Sequence, residues 1–215
     1  MRLVFPNYRL PKSTDSFSMI IPSHPVLQFI RQYVDFPDQL WNRMEPLWAV
    51  RTYPPKTHIL RAGQRCDQVY FLESGLLHYY VLHKGSASTK FFTVAPYCFT
   101  SQRSFNQQIP AQEFIETIET SRVWQLSRAE VYAWLTEPQW ADFVRALTQE
   151  VQFFTENILE DLQTKTAEVR YREMVRAGDP LLRRVPQKIL ASYLGIAPPS
   201  LSRIRHKLRR PQFNN

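Results

Sequence analysis

The stretch QKILASYLGIAPPSLSRIRHKL, residues 187–208, decides how this chain is read. Counted from Gln187, Leu190 falls at position four, Ala191 at five, Leu194 at eight, Gly195 at nine, Ile196 at ten, Leu201 at fifteen and Ile204 at eighteen. That is the pattern of a helix-turn-helix, and each position has a mechanical reason. A small Ala191 lets the second helix cross close over the first. Gly195 makes the turn, where a left-handed backbone is needed. Leu190, Leu194, Ile196, Leu201 and Ile204 form the apolar knot between the helices. Pro186 suits the first turn of helix one, and Pro198 or Pro199 the first turn of helix two. Facing outward on helix two are Ser200, Ser202, Arg203, His206 and Lys207.

The charge distribution points the same way. The chain has 215 residues and a formal net charge of +8. Residues 1–165 hold 16 basic and 16 acidic side chains, which cancel, whereas residues 166–215 hold 11 basic against 3 acidic and carry the whole excess. A neutral body with a basic tail module meets a polyanion, and the helix-turn-helix makes that polyanion double-stranded DNA. Arg203 has the planar fork that reaches guanine O6 and N7 in the major groove. Ser200 and Ser202 contact a base edge or phosphate. Arg205, Lys207, Arg209 and Arg210 serve phosphates, as do Gln187 and Lys188 at the start of helix one. Two prolines at the start of the reading helix remove side chains that could read bases, so backbone contacts and DNA shape carry more of the recognition.

Composition excludes several other classes. No apolar run approaches the roughly 20 residues of a membrane span, and the N-terminus has no signal-peptide core. The two cysteines, Cys66 and Cys98, form no Cys-x-x-Cys pair, and the five histidines form no His-x-His pair. No metal site is expected from local spacing, nor any resident cofactor, and the chain reads as a reduced cytoplasmic protein rather than an enzyme. A cupin-type metalloenzyme would need ligands that His58, His78 and His83 do not supply at the required spacing.

The rest of the chain divides by period. Residues 1–23, with Pro6, Pro11 and Pro22, read as a poorly ordered arm, and Met19 is an alternative start. Leu27, Ile30 and Val34, then Leu40, Met44 and Leu47, predict two short helices around Pro37. From about residue 50 the period changes to short aromatic and β-branched runs: Val69–Leu72, Leu76–Leu82, Thr89–Val94, Glu113–Glu119 and Arg122–Leu126. Gly63, Gly75 and Gly85 stand at the turns, and 95–112 reads as irregular. Such short strands predict a jelly-roll. Ser127-Arg128-Ala129-Glu130 reads as a capping box. Pro138 then opens a long helix in which Val144, Leu147, Val151, Phe154 and Ile158 step 3, 4, 3, 4, continued loosely by Leu162. That heptad seam predicts a homodimer, while Trp140 and Phe143 pack back on the barrel and Glu150, Glu156 and Glu160 fall off the seam.

In this order of parts the chain resembles the Crp/Fnr family of bacterial transcription regulators, over about residues 24–210. Ile59-Leu60-Arg61-Ala62-Gly63-Gln64 looks like the family's glycine turn into the roll, and Val69–Gly75 like its first hairpin. Arg183–Lys188 followed by Leu190–Arg205 is similar to the Bacteroidetes-type branch, whose members often lack a full wing. The resemblance implies an α+β chain: a cyclic-nucleotide-binding-like β-roll over 24–137, a long dimerisation helix over 138–165, and a helix-turn-helix domain over 166–215 without a full wing. It also implies a small-molecule effector site, and RNA polymerase as a candidate partner. Family members that bind cyclic nucleotides hold the ribose with Gly-Glu and the phosphate with Arg-Ser/Thr. Here the matching positions carry Thr100-Ser101 and Ala111-Gln112, with Glu113 adding unfavourable charge. Arg103 could substitute from a different direction. The oxygen-sensing branch needs an N-terminal cysteine cluster, which is absent. A haem-binding relative would need axial ligands, for which Cys66, His78 and His83 are available. The expected activity is therefore homodimeric sequence-specific DNA binding with a degenerate effector pocket. A cyclic-nucleotide-responsive regulator and an adaptor that has lost DNA binding are the alternatives.

Overall fold

A computed structural model of the chain describes residues 24–209. The expected arm over 1–23, Arg210 and any wing beyond it lie outside those residues. The run Tyr70-Phe71-Leu72 is buried without alternation. A strand buried on one face would alternate, so this strand is covered on both. Phe71 meets Phe29 of the N-terminal helices at 5.3 Å between ring centroids. Tyr70 stacks on Phe99 at 4.9 Å.

The strand is β3 (Gln68–Ser74), one of eight among the described residues. The others are β1 (Ala49–Tyr53), β2 (His58–Leu60), β4 (Leu76–His83), β5 (Ser86–Val94), β6 (Tyr97–Phe99), β7 (Phe114–Thr117) and β8 (Ser121–Ser127). They form two antiparallel four-stranded sheets, β1-β8-β3-β6 and β2-β7-β4-β5. This is the jelly-roll expected from the short strands. Two helices, α1 (Pro25–Ile30) and α2 (Asp38–Met44), flank Pro37 as expected and cover the first sheet through Phe29, Trp41 and Met44. Residues 95–112 are not irregular. They hold β6 and a helix, α3 (Gln102–Gln107). Each is too short to leave a periodic signal in the sequence.

The capping box closes as expected: Ser127 Oγ accepts from the Glu130 amide and Glu130 Oε2 from the Ser127 amide, opening α4 (Arg128–Ala133). Pro138 is the first residue of α5 (Pro138–Thr164), a helix of 27 residues. Trp140 and Phe143 are buried in the roll's core, and Trp140 Nε1 donates to the Val131 carbonyl. Four helices follow: α6 (Ala167–Arg176), α7 (Leu181–Arg184), α8 (Gln187–Leu194) and α9 (Pro198–Arg209). Their core is built from Tyr171, Met174, Leu181, Val185, Leu190, Ala191, Leu194 and Leu201, together with Leu76 and Phe92 from the roll. Leu77 and Tyr79 point into the roll while Leu76 lies on its outer face. Period-two alternation along β4 thus serves two cores at once. The described residues thus run from an N-terminal β-roll through one long helix to a set of C-terminal helices.

Candidate functional site

The turn between α8 and α9 is built as the sequence requires. The amide of Gly195 (φ +72) donates to the Ser192 carbonyl, and that of Ile196 to the Ala191 carbonyl. This paired closure is the Schellman arrangement, which needs a left-handed residue at Gly195. Ala191, Leu194 and Leu201 are buried in the core of the C-terminal helices, as the small residue and its apolar partners require. Pro198 and Pro199 open α9, whose first turn needs no proline amide. Pro186 sits one position earlier than expected, as the residue capping α8, where its carbonyl accepts from the Leu190 amide.

On α9 the side chains of Ser202, Arg203, His206 and Lys207 are exposed, with Ser200 and Arg205 half-buried. Arg203 Nη2 lies 3.5 Å from Ser200 Oγ one turn earlier. Arg205 Nη1 donates to Gln187 Oε1 at 3.4 Å, bringing those two expected contacts together across the helix starts. Lys188 is exposed beside Gln187. Lys207 is tied back: its Nζ lies 2.9 Å from Glu168 Oε1. That bond, with Arg172 as second partner, holds the Glu168 carboxyl below its usual range.

Two arginines of the basic tail do internal work that the sequence did not reveal. Arg170 is buried and donates from Nη2 to the Leu194 carbonyl at 2.7 Å, a cation on the C-terminal end of α8. Arg184 grips the roll. Nη2 and Nε donate to Glu119 at 2.5 and 3.2 Å, and Nη2 also to the Gly75 carbonyl at 2.9 Å. Ser192 was likewise missed: its hydroxyl accepts from the Thr89 amide at 2.9 Å and donates to the Ala87 carbonyl at 3.0 Å. Only the pairing of distant segments marks these residues. The basic residues left facing solvent near α8 and α9 are chiefly Arg183, Lys188 and Arg203.

The seam expected on α5 divides in space. Phe154 is buried, with its ring 6.4 Å from that of Phe91, and Val144 and Leu147 pack partly on the roll's core. Val151 and Ile158 are half-buried. Glu150 points inward, accepting from Tyr33 Oη at 2.6 Å and Tyr97 Oη at 3.2 Å. A neighbouring stripe is open: Leu159 is 55% and Leu162 54% exposed. Thr148 and Thr155 continue it upward; their hydroxyls bond the carbonyls of Val144 and Val151, at 2.7 and 2.8 Å. With those hydroxyls satisfied, the threonines offer methyl groups, and the stripe Thr148, Val151, Thr155, Leu159, Leu162 steps 3, 4, 4, 3.

The expected effector residues cluster around the start of α3. Ser101 is buried and donates to Glu113 Oε1 at 2.7 Å. Thr100 donates to the Gln68 carbonyl at 2.9 Å and lies 3.3 Å from Cys66 Sγ. Ala111 is buried and exchanges backbone bonds with Gly63 and Gln64. Gln112 is exposed, and Arg103 turns away along its own helix to Gln107 at 3.4 Å. An anion entering beside Ser101 meets the Glu113 carboxylate. Both cysteines are free and buried, and burial pushes the Cys98 thiol well up. Among the described residues no group of three or more His, Cys, Asp or Glu is arranged to hold a metal, and no helix is long and apolar enough to cross a membrane.

Residues 50–137 match the family model of the cyclic nucleotide-binding domain. No curated protein matches the chain. Solved structures with the same fold include the c-di-GMP-responsive global regulator CLP of Xanthomonas campestris. It is 14% identical with a TM-score of 0.66, over 80% of this chain and 92% of that one. A putative transcriptional regulator of the Crp/Fnr family from Eubacterium rectale is 15% identical, TM-score 0.65, over 81% and 87%. FixK2 of Bradyrhizobium japonicum is 19% identical, TM-score 0.62, over 75% and 84%.

Proposed function

We propose that this chain is a Crp/Fnr-type transcription regulator that binds a near-palindromic DNA site as a homodimer, with a roll that does not take a cyclic nucleotide by the usual cassette. The observation that carries the reading is the helix pair α8–α9. Its closed Schellman turn, buried Ala191 and exposed face of Ser202, Arg203 and His206 coincide with the charge excess. Two copies joined along the open stripe of α5 would present their α9 helices about one helical turn apart, roughly 34 Å. The cytoplasm is the matching compartment and RNA polymerase a candidate partner; no catalytic role is assigned.

Selection of binding sites from random duplexes tests the reading, and a palindromic consensus is the expected result. Affinity for that site should fall steeply with salt as phosphate counterions are released. A flat salt dependence would favour the adaptor reading. Arg203→Ala is expected to cost about 1–3 kcal/mol of specific binding and to relax the sequence preference, since a bidentate base contact is lost. Wild-type affinity for the selected site in that variant would remove α9 from the major groove.

The cyclic-nucleotide reading is favoured by one observation, the family match over residues 50–137. Against it stand the Ser101–Glu113 bond, which puts a carboxylate at the expected phosphate position, and the turn of Arg103 toward Gln107. Titration calorimetry with cyclic AMP or cyclic GMP is expected to give no micromolar binding. Saturable micromolar heat with either nucleotide would overturn this part of the assignment.

A further inference from the structure

We propose that the outer face of the β2-β7-β4-β5 sheet is a proton-operated latch: protonation at His78 releases α8 from the edge of β5, and with it the C-terminal helices from the roll. The latch has three parts. β5 is an edge strand, and a single hydroxyl, Ser192 of α8, takes its outward Thr89 amide and Ala87 carbonyl. Arg184 spans to Glu119 and the Gly75 carbonyl. Phe92 of β5 is buried edge-on against Tyr193 of α8, 5.1 Å between centroids.

A row of titratable groups runs straight into that contact. Across the sheet, His58 of β2 pairs with Glu116 of β7, Glu116 with His78 of β4, and His78 with Phe92 of β5. His78 is 5% exposed, and neither of its buried ring nitrogens has a hydrogen-bond partner. Its Nε2 lies 3.7 Å from Glu116 Oε1, while the other carboxylate oxygen is engaged by His58 Nε2 at 3.0 Å. Tyr80, on the same strand, stacks on His78 at 5.0 Å and lies with its hydroxyl 2.8 Å from His58 Nε2. From the C-terminal helices Tyr193 packs on Phe92, the strand partner of His78; burial pushes Tyr193 up to about 12, with Arg170, Asp179 and Asp161 bearing on it. Arg184 and Glu119 neutralise each other at the end of β7. Arg61, directly after β2, is the cation that bears on His58 and Tyr80 and opposes a positive charge on His58.

In the docked state an imidazole without hydrogen-bond partners carries a desolvation cost while neutral and a much larger one if it takes a proton. Burial outweighs the Glu116 carboxylate and holds His78 below the ordinary histidine value; His58 is displaced in the same direction for the same reason. Parting α8 from β5 uncovers Phe92, admits water to the neighbouring ring and lets it take a proton against Glu116. The undocked form therefore binds protons more tightly. Docking is favoured above the ordinary histidine value of about 6.5 and weakens as the pH falls below it.

The Thr89 amide reports the latch directly, since it can exchange only when Ser192 leaves. In the full chain, its hydrogen-exchange protection, corrected for intrinsic rate, is expected to fall about tenfold between pH 7.5 and 5.5. Protection at Phe71, inside the roll, should hold. His78→Phe keeps the stacked ring without the proton and should abolish the fall; Glu116→Gln removes the counter-charge and should move it to lower pH. A flat Thr89 profile in the wild type would overturn the proposal, as would an unchanged slope in both variants or parallel loss at Phe71. Because the readout involves no DNA, its failure would leave the DNA-binding reading standing.

Discussion

Replacing Leu159 and Leu162 together by aspartate is expected to abolish the proposed homodimer, leaving a folded monomer, and to weaken the proposed binding to a palindromic site by about a hundredfold or more. Both side chains are more than half exposed, so the change removes no core contact within the chain. What it removes is a face suited to a second copy: two leucines, Val151, and two threonines whose hydroxyls are already bonded to their own helix. Four carboxylates facing one another across the two-fold would repel at close range. Losing the second half-site turns an effectively intramolecular contact into an independent one, which is where factors of 10²–10⁴ arise. Sedimentation at micromolar concentration checks the assembly, circular dichroism the fold, and a duplex-binding titration the affinity. A variant that remained dimeric would place the interface elsewhere. Phe154→Ala makes the contrast: it should cost stability within one chain, because that ring is buried against its own roll.

Gly75→Ala is expected to destabilise the chain by about 3 kcal/mol or more, one of the largest losses available to a single methyl group. The residue has φ +114, a conformation that side chains rarely adopt. A Cβ there would lie 2.8 Å from the backbone Cα of Ser121, and closer still to that residue's Cβ and Oγ. The neighbouring strand β8 would have to move, because the contact is with backbone rather than with the end of a flexible side chain. The Gly75 carbonyl also receives Arg184, so the shift would reach the C-terminal helices. Urea denaturation measures the loss, and Thr89 exchange should accelerate with it. An unchanged midpoint would mean that β3 and β8 separate at that turn without cost.

Much of the site was legible because it is local. The spacing from Leu190 to Ile204 dictates a helix pair, since one turn of helix brings those positions together whatever the rest of the chain does. The Ser127–Glu130 capping box and the Pro138 start are similar, each confined to a single turn. The expected cassette residues were readable as chemistry, but not as geometry. That Ser101 bonds Glu113, and that Arg103 turns to Gln107, depends on how α3 meets the strand twelve residues later. α3 and β6 escaped notice because three to six residues show no period.

By itself, then, the sequence determined the order of the main parts, the helix-turn-helix and the location of the basic excess, because those rest on interactions within a few turns or on plain counting. Tertiary structure alone decided which of those charges are spent. Arg170, Arg184 and Lys207 are bound to groups 24 to 109 positions away along the chain. It also decided which stripe of α5 faces its own roll, since a heptad pattern fixes a helical face but not what packs against it. Lastly, it drew His58, Glu116 and His78 into one row ending at Tyr193. Strand register sets that row, and register emerges only when both sheets close.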